Sequence, residues 1–173
     1  MVIIGITGSI GMGKTTVSKM LQIFKIPVFD SDKKVKKILE ENKNVINKIS
    51  KIWPDTVLAN QRQKKINKEA LSYKVFNDKE ERKKLEKIIH PLVEKERGLF
   101  LKKVIGNRIV GLDVPLLYET GMDKKCDYIF LVNTTRRIQK KRVLMRPNMT
   151  ERKFVLINKS QWSLKKKKKR IHL

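Results

Sequence analysis

Short apolar runs rich in β-branched residues alternate along the chain with longer segments whose apolar residues recur every three or four positions. The short runs predict buried parallel strands at four places: 2–7, 26–29, 109–114 and 127–133. The longer segments between them have the spacing of amphipathic helices. Strands that alternate with helices indicate an α/β fold built on a parallel sheet.

The helical segments differ widely in length. They are predicted at 16–24, 33–52, 67–76, 78–89, 91–103, 136–146 and 150–157. Asp78 has the place of an N-cap with Glu81 three residues on, and Pro91 is expected in the first turn of a separate helix. Residues 55–66 are polar and are expected to be irregular. The helical block from 33 to about 104 is too long for a simple crossover, so it predicts an inserted subdomain that covers a substrate.

A glycine-rich loop joins the first strand to the first helix. Residues 8–15 have the spacing G-x-x-x-x-G-K-[ST] of a P-loop. Its glycines allow conformations in which successive N–H groups face a phosphate, and the following helix adds the positive end of its dipole. Lys14 would contact the β- and γ-phosphates, and the Thr15 hydroxyl would ligate Mg²⁺. The residues expected to bind the nucleoside triphosphate are Gly11, Met12, Gly13, Lys14, Thr15 and Thr16.

Two aspartates follow the second predicted strand, at the edge where open parallel sheets place their chemistry. Asp30 and Asp32 beside a P-loop are typical of a kinase. One carboxylate can accept a proton from the attacking hydroxyl, and either can help to hold Mg²⁺ through water. The alternative is that one of them only caps the next helix. Asp113 ends the third strand in the position of a Walker-B-type acid, although the Pro and Leu after it make the match loose.

Two arginines on the helix predicted at 136–146 complete the candidates for phosphate contact. Arg142 and Arg146 are four residues apart and therefore share one helix face. Paired guanidinium groups can clamp migrating phosphates and stabilise the charge of a transition state. A solvated basic face explains the spacing equally well. The arginine-rich helix–turn–helix at about 136–160 predicts a lid over the phosphates.

Composition limits the class of protein. A chain of 173 residues with 40% hydrophobic residues suits one domain with a substantial core. No run approaches the roughly 20 apolar residues of a membrane span. The first strand begins at the N-terminus without the layout of a signal peptide, so we expect a cytoplasmic protein. Cys126 is the only cysteine, which excludes an internal disulfide.

The formal net charge of +25 raises the affinity of the chain for any polyanion. The lysines are scattered over nearly every predicted helix, and residues 165–170 of the tail are all basic. We therefore favour a lysine-rich solvated surface with a basic tail at 162–173 over a dedicated nucleic-acid face.

Taken together, these segments resemble dephospho-coenzyme A kinase from residue 2 to about residue 161. The family's motifs are matched in chain order: T-G-G-I-G-S-G-K-[ST]-T at 7–16, D-x-D at 30–32, L-x-H-P in the form Ile-Ile-His-Pro at 88–91, V-P-L-L-x-E at 114–119, the lid element Q-x-x-R-x-x-x-R at 139–146, and a later glutamine at Gln161. The P-loop is common to many families. The combination of V-P-L-L-x-E with D-x-D and H-P is far more particular.

The resemblance implies a P-loop kinase-type fold with three α/β/α layers, and transfer of the ATP γ-phosphate to the ribose 3′-hydroxyl of dephospho-CoA, the last step of coenzyme A synthesis. It implies that Asp32 is the base with Asp30 beside it, and that Thr15 and Asp32 hold Mg²⁺. The groups that would neutralise phosphoryl charge are Lys14, Arg142 and Arg146. The residues that would bind the acceptor are His90, Leu116 and Glu119.

The same resemblance implies a single kinase domain with a core at about 1–32 and 105–135, a helical acceptor-binding subdomain at about 33–104, and a lid at about 136–160. Members of the family continue well past position 173 with a further strand and a closing helix. It therefore implies a chain shortened at its C-terminus, with an exposed sheet edge.

Three alternatives to a dephospho-CoA kinase stay open. They are another nucleoside or nucleotide kinase, a P-loop protein that binds RNA, and a shortened, non-catalytic remnant. Ser9 and Met12 replace residues that are usually glycine and serine in the family, which removes no phosphate-binding side chain. The partners implied are ATP and dephospho-CoA, without a specific nucleic acid or a membrane. The oligomeric state does not follow from the sequence.

Overall fold

The computed structural model describes residues 1–60 and 63–170. They form two compact units, one of residues 1–31 with the chain from residue 100 onward, and one of residues 32–99. The strands in these ranges are β1 (Val2–Thr7), β2 (Val28–Asp30), β3 (Val57–Asn60), β4 (Gln63–Ile66), β5 (Ile109–Asp113) and β6 (Tyr128–Leu131). The α-helices in the same ranges are α1 (Lys14–Ile23), α2 (Ser31–Glu41), α3 (Lys43–Ile52), α4 (Lys68–Asn77), α5 (Lys79–Lys103), α6 (Arg136–Leu144), α7 (Glu151–Ser160) and α8 (Leu164–Lys168).

The first unit is built on a four-stranded parallel sheet with the order β2-β5-β1-β6. The two central strands carry buried apolar side chains, among them Ile6, Val110 and Leu112. Such continuous burial is typical of a parallel sheet that is covered on both faces. The pairing confirms the α/β class and the four predicted parallel strands, although β2 and β6 are shorter than expected.

A glycine lets two segments pass close over the middle of β1. A Cβ atom at Gly5 would lie 2.6 Å from Leu117 Cδ1 and 2.8 Å from Cys126 Sγ. Neither neighbour leaves room for a side chain, so the segment after β5 and the segment before β6 both pack directly on β1. Cys126 forms no disulfide in the described structure, has intermediate exposure and serves here as a small packing residue.

β6 forms one edge of the sheet, because among the described residues it pairs only with β1. Tyr128 and Phe130 on this strand are exposed. A strand edge of this kind presents unpaired backbone N–H and C=O groups to its surroundings.

The unit of residues 32–99 is helical, with one small hairpin. The single helix predicted at 33–52 is wrong at Asn42, where the chain divides into α2 and α3. The Asn42 side chain accepts a hydrogen bond from the Val45 N–H at 3.1 Å and so acts as the N-cap of α3. Ile46 and Ile49 on α3 are buried. A capping side chain therefore ends one amphipathic run and begins the next.

An antiparallel hairpin of β3 and β4 lies where irregular chain was predicted, so that prediction is wrong for the described part of 55–66; residues 61 and 62 lie outside the described residues. The register pairs Val57 with Ile66 and Asn60 with Gln63. β4 has the sequence Gln-Lys-Lys-Ile and lacks the apolar alternation that reveals a strand. Its pairing with β3 and its packing on α3 stabilise it instead.

α5 runs unbroken through Pro91, so the prediction of a separate helix starting there is wrong. Proline removes one backbone donor and costs a helix several kcal/mol in general. Ile89 and Val93 lie on either side of it and are buried, and their burial offsets that cost. Asp78 caps the start of α5 as predicted, since its Oδ1 accepts from two backbone N–H groups of the first turn.

α6 and α7 form the helix–turn–helix predicted at about 136–160. Beyond it, α8 lies inside the lysine run, where the sequence predicted no element. Ser163 caps this short helix by accepting a hydrogen bond from the Lys166 N–H at 3.2 Å. Lys167 in its middle has a relative exposure of 0%. One lysine of the run is therefore part of the protein interior.

Candidate active site

The loop between β1 and α1 has the conformation that its glycines predict. Gly11 and Gly13 have φ angles of 76° and 104°, in the left-handed region that other residues rarely adopt. A Cβ atom at Gly11 would also lie 2.5 Å from Val143 Cγ2 and 3.0 Å from the Gln139 carbonyl oxygen. Backbone conformation and lack of space therefore both require glycine at position 11.

Met12 supports this loop from inside. Its side chain is buried, and its Sδ accepts a hydrogen bond from the Thr134 N–H at 3.3 Å. The sulfur thus ties the loop to the chain that follows β6. Any contact of Met12 with a phosphate comes from its backbone, which agrees with the expectation that this replacement removes no phosphate-binding side chain.

Lys14 begins α1 and folds back over the loop. Its Nζ donates to the Gly8 carbonyl oxygen at 2.9 Å. Thr15 and Thr16 follow in the first turn and are exposed. The first backbone N–H groups of a helix have no acceptor within that helix. An ammonium group, a hydroxyl group and a helix N-terminus thus meet at one point, which is the set of groups that binds a phosphate chain.

The middle of the loop is held by one side chain of α6 and by the residue that follows α7. The Ile10 N–H donates to Gln161 Oε1 at 3.0 Å, and the Ile10 carbonyl accepts from Gln139 Nε2 at 2.8 Å. Gln139 is 2% exposed, and its amide also donates to Asn158 Oδ1 at 3.2 Å. The sequence showed both glutamines only as members of a motif, and nothing in their spacing pointed to the loop.

Of the two predicted arginines, Arg142 lies against the P-loop. Its Nη1 is 3.3 Å from the position that a Cβ atom of Gly13 would occupy. α6 ends at Leu144, so Arg146 lies past the helix, where it is exposed. The prediction that both arginines share one helical face is therefore wrong at its C-terminal end.

Carboxylates lie at the adjacent strand ends. Asp30 ends β2 and is the register partner of Asp113, which ends β5 next to β1. Asp113 is 6% exposed, and its Oδ2 accepts a hydrogen bond from Ser18 Oγ at 2.7 Å. Burying a carboxylate costs free energy even when a helix hydroxyl donates to it. Such groups occur often at functional sites, so Asp113 is a candidate functional residue. Ser18 was missed in the sequence because a lone serine in a helix carries no signal.

The segment after β5, residues 114–119, is held by a buried lysine. Lys167 Nζ donates to the Pro115 carbonyl oxygen at 3.2 Å and lies 3.5 Å from Glu119 Oε1. The Trp162 N–H donates to the same Oε1 at 2.7 Å. Burial lowers the pKa of the Lys167 ammonium group, and the charge of Glu119 opposes that shift. Glu119 therefore supports this segment from within, and Leu116 beside it is half-buried.

Two predicted site residues belong to the unit of residues 32–99. Asp32 lies in the first turn of α2 and is exposed. His90 lies in α5, next to Pro91, and is also exposed. Both are thus on the surface of their own unit, where a side chain can meet a ligand.

The donor set suits Mg²⁺. In the described residues there is no cluster of three or more His, Cys, Asp or Glu side chains that could hold a metal ion alone. Mg²⁺ in phosphoryl-transfer sites keeps several waters and is held by few side chains together with the substrate phosphates. The Thr15 hydroxyl and the carboxylates at the strand ends fit that pattern.

Comparison with known proteins decides the family. The family model described as dephospho-CoA kinase matches residues 2–173. The chain belongs to the dephospho-CoA kinase family. A dephospho-CoA kinase of Zymomonas mobilis is 39% identical over 97% of this chain and 83% of its own length. One of Bartonella henselae is 41% identical over 98% of this chain and 86% of its own length.

Solved structures agree with this assignment. The crystal structure of TT1252 from Thermus thermophilus has a TM-score of 0.80 and 30% identity, and the match covers 98% of this chain and 85% of that one. The dephospho-CoA kinase from Campylobacter jejuni has a TM-score of 0.67 and 25% identity over 99% of this chain and 85% of its own.

The family resemblance, the P-loop kinase-type α/β fold and the enzyme class predicted from sequence are confirmed. Dephospho-CoA kinases are transferases that use ATP in the final step of coenzyme A synthesis. The roles of individual residues stay predictions.

Proposed function

We propose that this chain transfers the γ-phosphoryl group of ATP to the ribose 3′-hydroxyl of dephospho-CoA and releases ADP and coenzyme A. One observation carries the proposal. This chain belongs to the dephospho-CoA kinase family, and Arg142 lies against Gly13 of its P-loop. Asp30 and Asp113 lie at neighbouring strand ends of the same sheet edge. Cations for phosphoryl charge and carboxylates for a proton and a metal are the parts that phosphoryl transfer needs.

Phosphate binding is assigned to the loop and its cations. The loop and first helical turn, residues 11–16, would surround the phosphates with backbone N–H groups. Lys14 would exchange its hydrogen bond to the Gly8 carbonyl for one to a β- or γ-phosphate oxygen. Arg142 and Arg146 would neutralise charge on the migrating phosphoryl group.

When bound, Mg²⁺ would supply positive charge that offsets the negative charge of the phosphates. Thr15 would ligate it directly, and Asp32 would hold it through water. Asp113, fixed by Ser18, is a further carboxylate suited to orient a coordinated water.

Proton transfer is assigned to Asp32, with Asp30 beside it. As the 3′-oxygen forms its bond to the γ-phosphorus, the bond from that phosphorus to the bridging oxygen breaks. The hydroxyl proton passes to the carboxylate. Asp32 is exposed on its own unit, as a group that meets a hydroxyl of the acceptor must be.

Acceptor binding is assigned to His90, Leu116 and Glu119. Leu116 and Glu119 belong to a segment whose backbone is held by Lys167. We infer that Leu116 contacts the acceptor and that Glu119 shapes the segment. His90 would bind the acceptor from the helical unit of residues 32–99.

We also place this activity in the cytoplasm. Each described helix is too short or too polar to cross a membrane. ATP and dephospho-CoA are polar, phosphorylated partners, and the one cysteine of the chain forms no disulfide in the described structure. A chain with a single cysteine needs no oxidising compartment for an internal disulfide.

The test is ADP release by the purified chain with Mg·ATP, with and without dephospho-CoA. We expect release that depends on dephospho-CoA and is far slower with other nucleosides or nucleotides as acceptors. Asp32→Asn should lower kcat by about 100-fold or more, as loss of a general base does, while ADP binding is retained. Asp55→Asn, at another exposed aspartate of the same unit, is the matched control and should leave kcat unchanged.

Two results would contradict the proposal. Turnover that prefers another acceptor would make the chain a different nucleoside or nucleotide kinase. ADP binding without turnover on any acceptor would make it a remnant.

A further inference from the structure

One residue of the P-loop, Ile10, is hydrogen-bonded by side-chain amides at both its backbone N–H and its backbone carbonyl. The Ile10 N–H donates to Gln161 Oε1 at 3.0 Å, and the Ile10 carbonyl accepts from Gln139 Nε2 at 2.8 Å. Ile10 lies between Gly8 and Gly11, which have positive φ angles and leave the backbone intrinsically pliable. The pliable part of the loop is therefore fixed by groups from outside it.

The backbone determines how each amide is oriented. An N–H needs an acceptor, so Gln161 must present its oxygen to Ile10. A carbonyl needs a donor, so Gln139 must present its nitrogen. The Gln139 amide also donates to Asn158 Oδ1 at 3.2 Å, which is compatible with the same orientation. A carboxylate could therefore replace the amide at position 161 but not at position 139.

The same helix also carries a proposed phosphate contact. Gln139 and Arg142 are three residues apart on α6, and Arg142 lies against Gly13. Val143, next to Arg142, fills the space over Gly11. Loop shape and arginine position are therefore set by one rigid element.

We propose that Gln139 and Gln161 are positioning residues that hold the backbone of Ile10, and so hold the P-loop in its phosphate-binding shape before the nucleotide arrives. They act through Ile10 and touch no nucleotide atom. The inference rests on the proposed function only in that the loop binds a nucleotide. Because a loop ordered in advance loses less entropy on binding, the expected effect is on nucleotide affinity.

The test compares Gln139→Glu with Gln161→Glu at about pH 8, where glutamate is ionised. Both add one negative charge near the Ile10 backbone, but only Gln139→Glu loses its bond and sets an acceptor against the Ile10 carbonyl. We expect the Kd for ADP, measured by titration calorimetry, to rise at least about tenfold for Gln139→Glu and to stay within about threefold of the wild type for Gln161→Glu. Gln22→Glu, at an exposed glutamine of α1, is the charge control and should have no effect.

Equal weakening by both glutamate variants would overturn the proposal, because charge alone would then explain it. An unchanged Kd in both variants would also overturn it. Thermal melts of each variant exclude global unfolding. If Gln139→Glu does not fold, Gln139→Met, which is neutral and similar in size, replaces it with the same tenfold expectation.

Steady-state kinetics gives a second test, because a residue with a merely structural role would leave KM for ATP unchanged. Gln139→Met should raise KM for ATP and leave KM for dephospho-CoA unchanged. A lower active fraction would reduce kcat and leave both KM values alone, and that result would contradict a positioning role. If the wild type binds ADP but shows no acceptor-dependent turnover, the proposed function fails while the ADP affinities still decide this inference.

Discussion

Two loops leave the carboxyl edge of the sheet, one after β1 and one after β5, and different chemistry holds each of them. The P-loop is held at Ile10 by the neutral amides of Gln139 and Gln161. The segment 114–119 is held by the buried ammonium group of Lys167, which bonds the Pro115 carbonyl and pairs with Glu119.

The difference has physical consequences. Hydrogen bonds between neutral groups do not titrate and contribute about 1 kcal/mol each. A buried ion pair contributes little net stability, but removing one partner leaves an uncompensated charge and is expensive. The backbone of Ile10 in the P-loop, which must receive a highly charged ligand, is thus held by neutral groups. The segment 114–119 is held firmly, but in a way that depends on pH.

The largest expected effect is that of Lys167→Met, which leaves the largely buried carboxylate of Glu119 without its cation. We expect the free energy of unfolding, measured with urea, to fall by about 3 kcal/mol or more. Lys168→Met, at the exposed neighbouring lysine, should change it by less than about 0.5 kcal/mol. Adding Glu119→Gln to Lys167→Met should restore much of the loss, because the charge is then gone. No recovery in that double variant would mean that the ion pair is not the cause.

Gly11→Ala should distort the P-loop. The new Cβ meets Val143 Cγ2 at 2.5 Å and is placed on a residue with φ of 76°. We expect ADP affinity to fall by about 100-fold, since both strain and overpacking act on the loop. Gly98→Ala is the control: apart from its chain neighbours and the nearby backbone of its own helix, no described atom lies within 4 Å of the new Cβ, and alanine in a helix should raise stability by about 0.5–1 kcal/mol. Wild-type ADP affinity in Gly11→Ala would show that the loop adapts freely.

The dependence on pH sharpens the contrast between the two loops. Because burial lowers the pKa of Lys167, the native state releases this proton at a lower pH than the unfolded chain does. Between the lowered value and the ordinary value of 10.5, the unfolded state binds more protons, so the stability contribution of Lys167 rises with pH. The difference in unfolding free energy between wild type and Lys167→Met should therefore grow as pH rises towards 10.5. The corresponding difference for Gln139→Met should stay constant, and a parallel rise there would contradict the comparison.

The smallest expected effect concerns an exposed contact of α8, the helix that carries Lys167. Lys166 Nζ lies 3.6 Å from the centroid of the Trp162 ring, which stacks on Tyr118. Lys166→Ala should lower the free energy of unfolding by about 0.5 kcal/mol, the size of an exposed cation–π contact. High salt should weaken the effect. A loss as large as that of Lys167→Met would mean that α8 responds as one unit, and that burial does not distinguish its lysines.

Sequence reasoning succeeded where one short segment carries its own structure. β1, the P-loop and α1 follow one another within 23 residues, and the glycines, Lys14 and the apolar spacing are local signals. The carboxylates at strand ends could be placed for the same reason, because parallel strands present their carboxyl ends at one edge. Of the predicted site residues, those at the P-loop and Arg142 are therefore found together in the structure.

The rest depends on partners far away in sequence. Gln139 and Gln161 meet Ile10 across 129 and 151 positions, and no pattern within either segment reveals that contact. β4 is a strand only because β3 pairs with it, and α5 continues through Pro91 because of tertiary burial. Lys167 looks like its neighbours until the fold encloses it.

Because Lys167 is enclosed, the five lysines of residues 165–169 differ in their reactivity towards reagents in solution. Residues 165–169 are five identical primary amines, yet an acylating reagent must reach an amine to modify it. Lys165, Lys166, Lys168 and Lys169 are exposed, whereas Lys167 is enclosed beside Glu119 and Pro115. A peptide map of the folded protein after brief acetylation should therefore show one unmodified amine inside a fully modified run, and the same map after urea should show none. The pattern would report, from a single peptide, whether α8 is docked.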